Sequence, residues 1–386
     1  MAEAVVITGL GAVSPLGWGV GPLWEGLVAG RSCLGPVRRF DTSGLRSSRG
    51  GEVPATPDAG PSKPRTLAEG YLLAAVREAL SHSGAPLPRT ALVVGTNFGG
   101  MAVAERALAG TAGPDLAGYE FREQAARCAG ELGLTGATVA LSLSCASGTA
   151  ALVTARDLIL SGRAERVVAA GYDELSRYAF AGLAALRAMT AADLRPFDRR
   201  RDGTLFSEGA GALVVESERA AAERGATLLA EVLGGALTND AYHMTAPEKE
   251  ARGIQALIRG ALADAGVGPE RIDHVNLHGT GTKYNDAIET KALKGVFGER
   301  AGRIPVTANK GAIGHAMGAA GVLEIVATVL SMREGVVPPT AGLEEPDPEC
   351  DLDVVTGAAR EVDIGVALKT SYGIGGANAA VVLGAA

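Results

Sequence analysis

Aromatic residues are scarce in this sequence, 4% of the total, and there is no long apolar run free of charge. The most apolar late stretch, residues 319–332, carries Glu324 in its middle and is too short to span a bilayer, so a membrane is not an expected partner. The N-terminus lacks a basic region and cleavage site, and no signal peptide is expected. Cysteines number only four, Cys33, Cys128, Cys145 and Cys350, with no C-x-x-C pair and no zinc-like Cys/His spacing. That pattern predicts a reduced, cytoplasmic setting and no metal site. Lysines number only seven, and the net charge of -7 gives no global basic field to draw in nucleic acid. What is abundant is glycine, 54 residues, in a chain that is 47% hydrophobic. Few rings and many small residues point to closely packed backbones.

The 386 residues exceed one ordinary core, and the pattern predicts two halves, residues 1–235 and 236–386. Apolar runs that read as strands recur at Ala4–Thr8, Ala91–Gly95, Thr138–Ser142, Arg166–Ala170, Ala210–Glu216, His274–Leu277, Pro305–Ala308, Ile364–Thr370 and Ala379–Leu383. Helical spacing covers Leu67–Ser81, Ala146–Ser161, Gly253–Ala265, Asp286–Phe297 and Gly318–Arg333, with Gly162, Gly266, Gly298 and Gly335 at the stops. The alternation predicts an α/β protein with mainly parallel inner strands. Cys145-Ala-Ser-Gly-Thr-Ala-Ala is echoed by His315-Ala-Met-Gly-Ala-Ala-Gly. Each follows a strand and opens a small-residue helix, so a pseudo-twofold would aim both helix starts at one site. The Pro-rich stretch Pro54–Pro64 reads as a surface loop.

Cys145 sits where unpaired N–H groups of a helix start favour thiolate over thiol and can hold an oxyanion, which fits a nucleophile. Of five histidines, at 82, 243, 274, 278 and 315, two lie in glycine-rich sequence: His278-Gly-Thr-Gly-Thr and Asn309-Lys-Gly-Ala-Ile-Gly-His-Ala-Met-Gly. Each residue alone fits ordinary packing. One Cys and two His, all at glycine-flanked strand ends, fit a catalytic set better. Gly9-Leu-Gly-Ala-Val-Ser half-matches a dinucleotide fingerprint, but Ser14 replaces the third glycine, Pro15 interrupts the helix start, and no acidic strand end follows.

S-C-A-S-G-T, H-G-T-G-T with Asp286 and Glu289 downstream, N-K-G-x-I-G-H-x-x-G-A-A-G and G-I-G-G-A-N occur in the order typical of elongating 3-oxoacyl-[acyl-carrier-protein] synthases, which the chain resembles. The resemblance implies a thiolase-like five-layer αβαβα fold with two duplicated halves. It implies that Cys145 takes an acyl group from a carrier-protein thioester, and that His278 and His315 promote decarboxylation of a malonyl thioester whose enolate attacks the acyl-Cys. It further implies that Lys310 pairs with Glu324 and disfavours protonation of His315, and that N–H groups of Cys145 and Ile374 form the oxyanion hole. Thr280 and Thr282 would contact the phosphopantetheine arm, and Glu324, Glu289 and Asp286 would lend structural support. No cofactor of its own is implied, because phosphopantetheine arrives on the acyl carrier protein. The implied assembly is a homodimer, or a heterodimer with a homologous chain-length partner. Arg199, Arg200 and Arg201 either help dock the acidic carrier or are held by Asp198 and Asp202. The sequence departs from the family at Ile374, normally aromatic, and in apparent shortening around Ser47–Leu67 and Met101–Gly130. These departures suggest a specialised acyl chain. Rival readings are a catalytically silent chain-length partner and a thiolase-fold acyltransferase that does not decarboxylate.

Overall fold

The computed structural model describes residues 3–55, 66–111, 116 and 118–386. Its principal elements repeat one order twice. The first half runs β1 (Val5–Ser14), α1 (Leu67–Ser83), β2 (Ala91–Gly95), α2 (Phe121–Glu131), β3 (Thr138–Leu141), α3 (Ser147–Leu160), β4 (Arg166–Asp173) and β5 (Gly209–Ser217). The second runs β6 (Ala230–Asn239), α4 (Arg252–Ala265), β7 (His274–Asn276), α5 (Lys283–Phe297), β8 (Pro305–Thr307), α6 (Ala320–Glu334), β9 (Asp353–Val354), β10 (Val366–Tyr372) and β11 (Ala377–Gly384). Apart from the short edge strand β9, the halves match element for element. The echo therefore places Cys145 just before α3 and His315 just before α6, at equivalent points.

The strands line up as β9-β8-β7-β10-β11-β6-β1-β5-β4-β2-β3. Two residue pairs, Val6 with Glu231 and Ile7 with Ala230, join β1 to β6 between the halves. Parallel pairing is confined to β2 with β3 and β4, and to β7, β8, β9 and β10. The other long ladders, including β1 with β5 and β6 with β11, are antiparallel, so the expectation of mainly parallel strands holds only toward the two outer ends.

Side chains alternate between two faces along each strand, and both faces are covered. Val93, Val167, Leu213, Ala367 and Val381 face a middle core with Leu152 of α3 and Val322, Leu323 and Val326 of α6. Their neighbours Leu92, Val94, Val168 and Val214 face the outer core under α1 and α2, while Leu368 and Val382 face the one under α4 and α5. On β1 the middle-core set switches from Val5 and Ile7 to Leu10 and Ala12, because the register with β5 shifts between Ile7 and Gly9. Three cores separated by two sheet regions give the expected αβαβα layering.

The glycines of the echo motif set the spacing of the middle layer. A Cβ on Gly148 would lie 2.7 Å from the Gly318 carbonyl oxygen and 2.8 Å from the Val322 nitrogen, and one on Gly321 would lie 2.4 Å from Thr149 Oγ1. Gly9 and Gly11 lie within β1 and let α1 approach, since a Cβ there would stand 2.2 Å and 2.0 Å from the carbonyl oxygens of Ala79 and Ala75. This placement removes the dinucleotide-loop reading. β6 escapes the sequence pattern because it carries two consecutive glycines and a half-exposed face. The expected division at 235/236 falls inside β6. The Pro54–Pro64 loop lies, beyond Pro54 and Ala55, outside the described residues. Among the described residues no helix is long and apolar enough to cross a membrane.

Candidate active site

Cys145 sits in a turn between β3 and α3. Ser144 takes a positive φ of 49°, an unfavourable conformation for a residue with a Cβ. The turn is pinned by Ser147, whose Oγ accepts from Leu143 N at 2.8 Å and donates to the Ser144 carbonyl at 2.6 Å. Burial pushes the Cys145 thiol up to about 11, against Lys310 and the N–H groups of Ile374 and of Cys145 itself, with Asp173 adding to the rise. The helix start thus does not make a resting thiolate, as the sequence suggested. At Cys145, 4% exposed, desolvation outweighs the local dipole. The two N–H groups remain aimed at the sulfur, where an oxyanion on an attached acyl carbon would form.

His278 begins the loop after β7. Glu289 holds that loop from below, accepting from His278 N at 2.8 Å, Gly279 N at 2.9 Å and Thr370 Oγ1 at 3.1 Å. Asp286 does the same further along, accepting from Gly281 N at 3.2 Å and Phe197 N at 2.8 Å. Both carboxylates are fully buried and committed to backbone N–H groups, so the expected supporting role has a concrete form. His315 leans on the other half: its N–H donates to the Leu205 carbonyl at 2.8 Å, and its ring stacks on Phe206 with centroids 5.5 Å apart.

The two imidazoles meet edge to face, centroids 5.4 Å apart at 86°. His315 Nδ1 accepts from Met317 N at 3.2 Å, and His278 Nδ1 faces the Lys310 ammonium at 3.3 Å. A nitrogen facing a donor must be an acceptor, so the proton of each neutral ring sits on Nε2. Burial first, then Lys310, with Lys369 adding to the effect, holds both rings well below the usual histidine range. Each is a neutral donor at physiological pH.

Behind the rings lies a buried charge cluster. Lys310 Nζ donates to Glu324 Oε1 at 2.6 Å and to the His278 carbonyl at 2.6 Å, while Lys369 Nζ stands 2.9 Å from Glu324 Oε2. All three side chains are 0% exposed. Lys310 pairs with Glu324 as expected, though its direct neighbour is His278 rather than His315. Sequence reading missed Lys369, Phe206, Tyr372, whose ring packs 5.4 Å from that of His278, and Asp173. Asp173 accepts from Thr96 Oγ1, the N–H groups of residues 97–99, and Gly318 N at 2.7 Å, tying the turn after His315 to the first half. The available signal was a lone lysine inside an apolar strand of a chain with only seven.

Cys145, His278 and His315 line one cavity of about 380 Å³, together with Thr280, Thr282 and Ile374. Ile374 is 37% exposed, in a turn flanked by glycines. Thr280 Oγ1 and Thr282 Oγ1 are 3.0 Å apart, and Thr282 also caps α5 through Asn285 N. The three arginines resolve differently from one another. Arg201 is buried and donates to Asp347, and Arg200 binds Asp198 and Glu344. Arg199 stands 3.8 Å from Glu345. Asp198 is a holding group as expected, whereas Asp202 lines the cavity. Among the described residues no group of three or more His, Cys, Asp or Glu side chains is placed to hold a metal ion.

Comparison with known proteins agrees with this geometry. Residues 2–221 match the family model described as beta-ketoacyl synthase, N-terminal domain, and residues 229–344 the one described as beta-ketoacyl synthase, C-terminal domain. The chain is 38% identical to nodulation protein E of Rhizobium meliloti (strain 1021), with 98% of each covered. It is 36% identical to the 3-oxoacyl-[acyl-carrier-protein] synthase 2 of Coxiella burnetii (strain RSA 493 / Nine Mile phase I), again with 98% of each covered. Among solved structures it matches the ishigamide ketosynthase/chain length factor at 36% identity and a TM-score of 0.93, with both chains fully covered. It also matches AntDE:AntF, a type II PKS acyl-carrier protein in complex with its ketosynthase bound to the hexaketide, at 30% identity and a TM-score of 0.93 with both chains fully covered. With both halves matched in order and the Cys-His-His cavity assembled between them, the chain belongs to the beta-ketoacyl synthase family.

Proposed function

We propose that the protein is a 3-oxoacyl-[acyl-carrier-protein] synthase that catalyses decarboxylative Claisen condensation. The observation that carries this reading is one cavity holding a nucleophile of suitable type beside two imidazoles kept neutral with Nε2–H free. The Cys145 sulfur attacks the acyl thioester, and the carrier thiol leaves with the thiol proton. The Nε2–H groups of His278 and His315 then donate to the malonyl thioester carbonyl, so that breaking the carbon–carboxylate bond releases carbon dioxide and leaves its electron pair in a stabilised enolate. The enolate carbon attacks the acyl-Cys carbonyl. The N–H groups of Cys145 and Ile374 hold the tetrahedral oxyanion, which collapses to the 3-oxoacyl thioester and returns the thiolate for reprotonation.

The substrates arrive on an acyl carrier protein, whose phosphopantetheine arm lies along Thr280 and Thr282, and no cofactor is held by the chain itself. The working unit is a homodimer or a heterodimer with a homologous chain-length partner, in the cytoplasm. Ile374 in place of an aromatic gate supports a specialised acyl chain of polyketide, polyene or fatty-acid type, because a branched aliphatic cannot stack or swing as a phenyl ring does.

Two readouts test the reading: mass spectrometry of Cys145 after incubation with acyl carrier proteins, and carbon dioxide release from malonyl carrier protein. Cys145→Ala should abolish the covalent adduct and condensation while carbon dioxide release survives. His278→Ala should cut that release by about 100-fold. A wild-type protein that shows neither adduct nor release would be a silent partner. One that acylates without releasing carbon dioxide would be a non-decarboxylating acyltransferase.

A further inference from the structure

Lys369 lies in a strand whose neighbours on the same face are Ala367 and Ser371, all turned toward the middle-layer helices, with Ser371 Oγ 2.8 Å from Thr149 Oγ1. Its flanking residues Leu368 and Thr370 turn the other way, into the outer core and onto Glu289. A fully buried ammonium in such a strand requires a partner, and its only carboxylate within ion-pair distance among the described residues is Glu324, at 2.9 Å. Glu324 already serves Lys310 with its other oxygen.

We propose that Lys369 is a positioning residue for the decarboxylation step: by holding the second oxygen of Glu324 it fixes the Glu324–Lys310 unit against His278 and leaves the cluster with one surplus positive charge behind both imidazoles. The inference rests on the function proposed above. Two ammoniums against one carboxylate leave one positive charge, and that surplus opposes a second cation on either ring. The groups facing the rings are Lys310 and Lys369 from the cluster, Glu289 below the His278 loop, Tyr372 against His278, and each ring against the other, with Cys145 in the same cavity and Asp173 bound to the turn after His315. Glu289 is spent on four hydrogen bonds of its own, so Glu324 is the carboxylate that decides the balance. Both histidines are lowered partly by Lys369, in agreement with this geometry.

The test is carbon dioxide release from malonyl carrier protein from about pH 8 down to about pH 4, because burial alone brings an imidazole of this fold down to about 4. Lys369→Met leaves one ammonium against one carboxylate, with no surplus. Its release should hold within about threefold at the alkaline end, and its acid limb should lie about one pH unit above that of the wild type, a tenfold difference in neutral ring along that limb. Lys369→Met combined with Glu324→Gln restores a surplus of one positive charge and should bring the acid limb back toward wild type, whatever its absolute rate. Lys369→Arg should keep the wild-type profile. A Lys369→Met variant with an unchanged profile, or with equal loss at every pH, would overturn the proposal, as would a double variant that keeps the shifted limb. Should Lys369→Met fail to fold, the double variant and Lys369→Arg are measured alone, and an acid limb moved to higher pH in either refutes it. A wild-type protein that releases no carbon dioxide would instead refute the proposed function.

Discussion

Three of the five imidazoles in this chain are buried, and His274 shows the effect of burial apart from catalysis. Its Nδ1–H donates to the Pro305 carbonyl at 2.8 Å, its Nε2 has no hydrogen-bond partner among the described residues, and burial brings it down to about 4. In the unfolded chain it would titrate near the ordinary value of about 6.5. Below that value the unfolded chain binds a proton that the folded one refuses, so this contribution to stability is complete above about 6.5 and is lost as pH falls toward 4, a total of about 3 kcal/mol. His274→Gln removes that dependence. Urea unfolding at about pH 7 and pH 5 should show the wild type losing about 2 kcal/mol more than the variant across the interval, and equal losses would mean the ring is protonated in the fold. The same competition explains why the sequence misjudged Cys145: a helix start is visible in the residues, but the depth of burial that outweighs it is not. Lys310 was legible because a motif carries it, and its pairing with Glu324 followed from the family resemblance. Lys369 was not, since one charge in a strand reads as an outward side chain until a second layer of helices is known to cover that face.

At the scale of elements, the paired helices α3 and α6 decide how far apart Cys145 and His315 stand. Their contact is glycine against backbone at Gly148, and neither neighbour, the Gly318 carbonyl nor the Val322 amide, is a flexible end that can swing away. Gly148→Ala must therefore part the helices. Thermal unfolding should register a loss of about 2–3 kcal/mol, and condensation should fall further than carbon dioxide release, because the first needs Cys145 in register and the second does not. Gly130→Ala is the control, since a Cβ there meets nothing within 4 Å and the residue lies in α2. A small gain of about 0.5–1 kcal/mol is expected from better helix propensity. The elements themselves were largely readable. Strand and helix positions followed period and glycine stops, and Ala91–Gly95 has the expected bounds. β6 was not readable, because consecutive glycines break the alternation that marks a strand, and the bulge in β1 hides its second half by reversing which positions face inward.

For the whole molecule, the repeated order of elements invites a description as two domains, yet the middle core belongs to neither half alone. Val93, Val167 and Leu213 come from the first half, Ala367, Val381 and Val326 from the second, and they share one cluster. Separating the halves would expose α3 and α6 together with the inner faces of both sheets. The active site has the same dependence: His315 receives its stacking ring and backbone partner from Phe206 and Leu205, and the turn after it is held by Asp173. Folding of either half should therefore require the other, and calorimetry of the intact chain should show one cooperative transition. Cutting the gene after exposed Gly225, between β5 and β6, supplies the stricter test. Each fragment produced alone should be insoluble or lack fixed tertiary structure, while co-production should restore a complex that acylates Cys145. Two separate transitions in the intact chain, or a first-half fragment that folds alone, would show that the duplicated halves are independent domains and that the shared core contributes little to holding either one together.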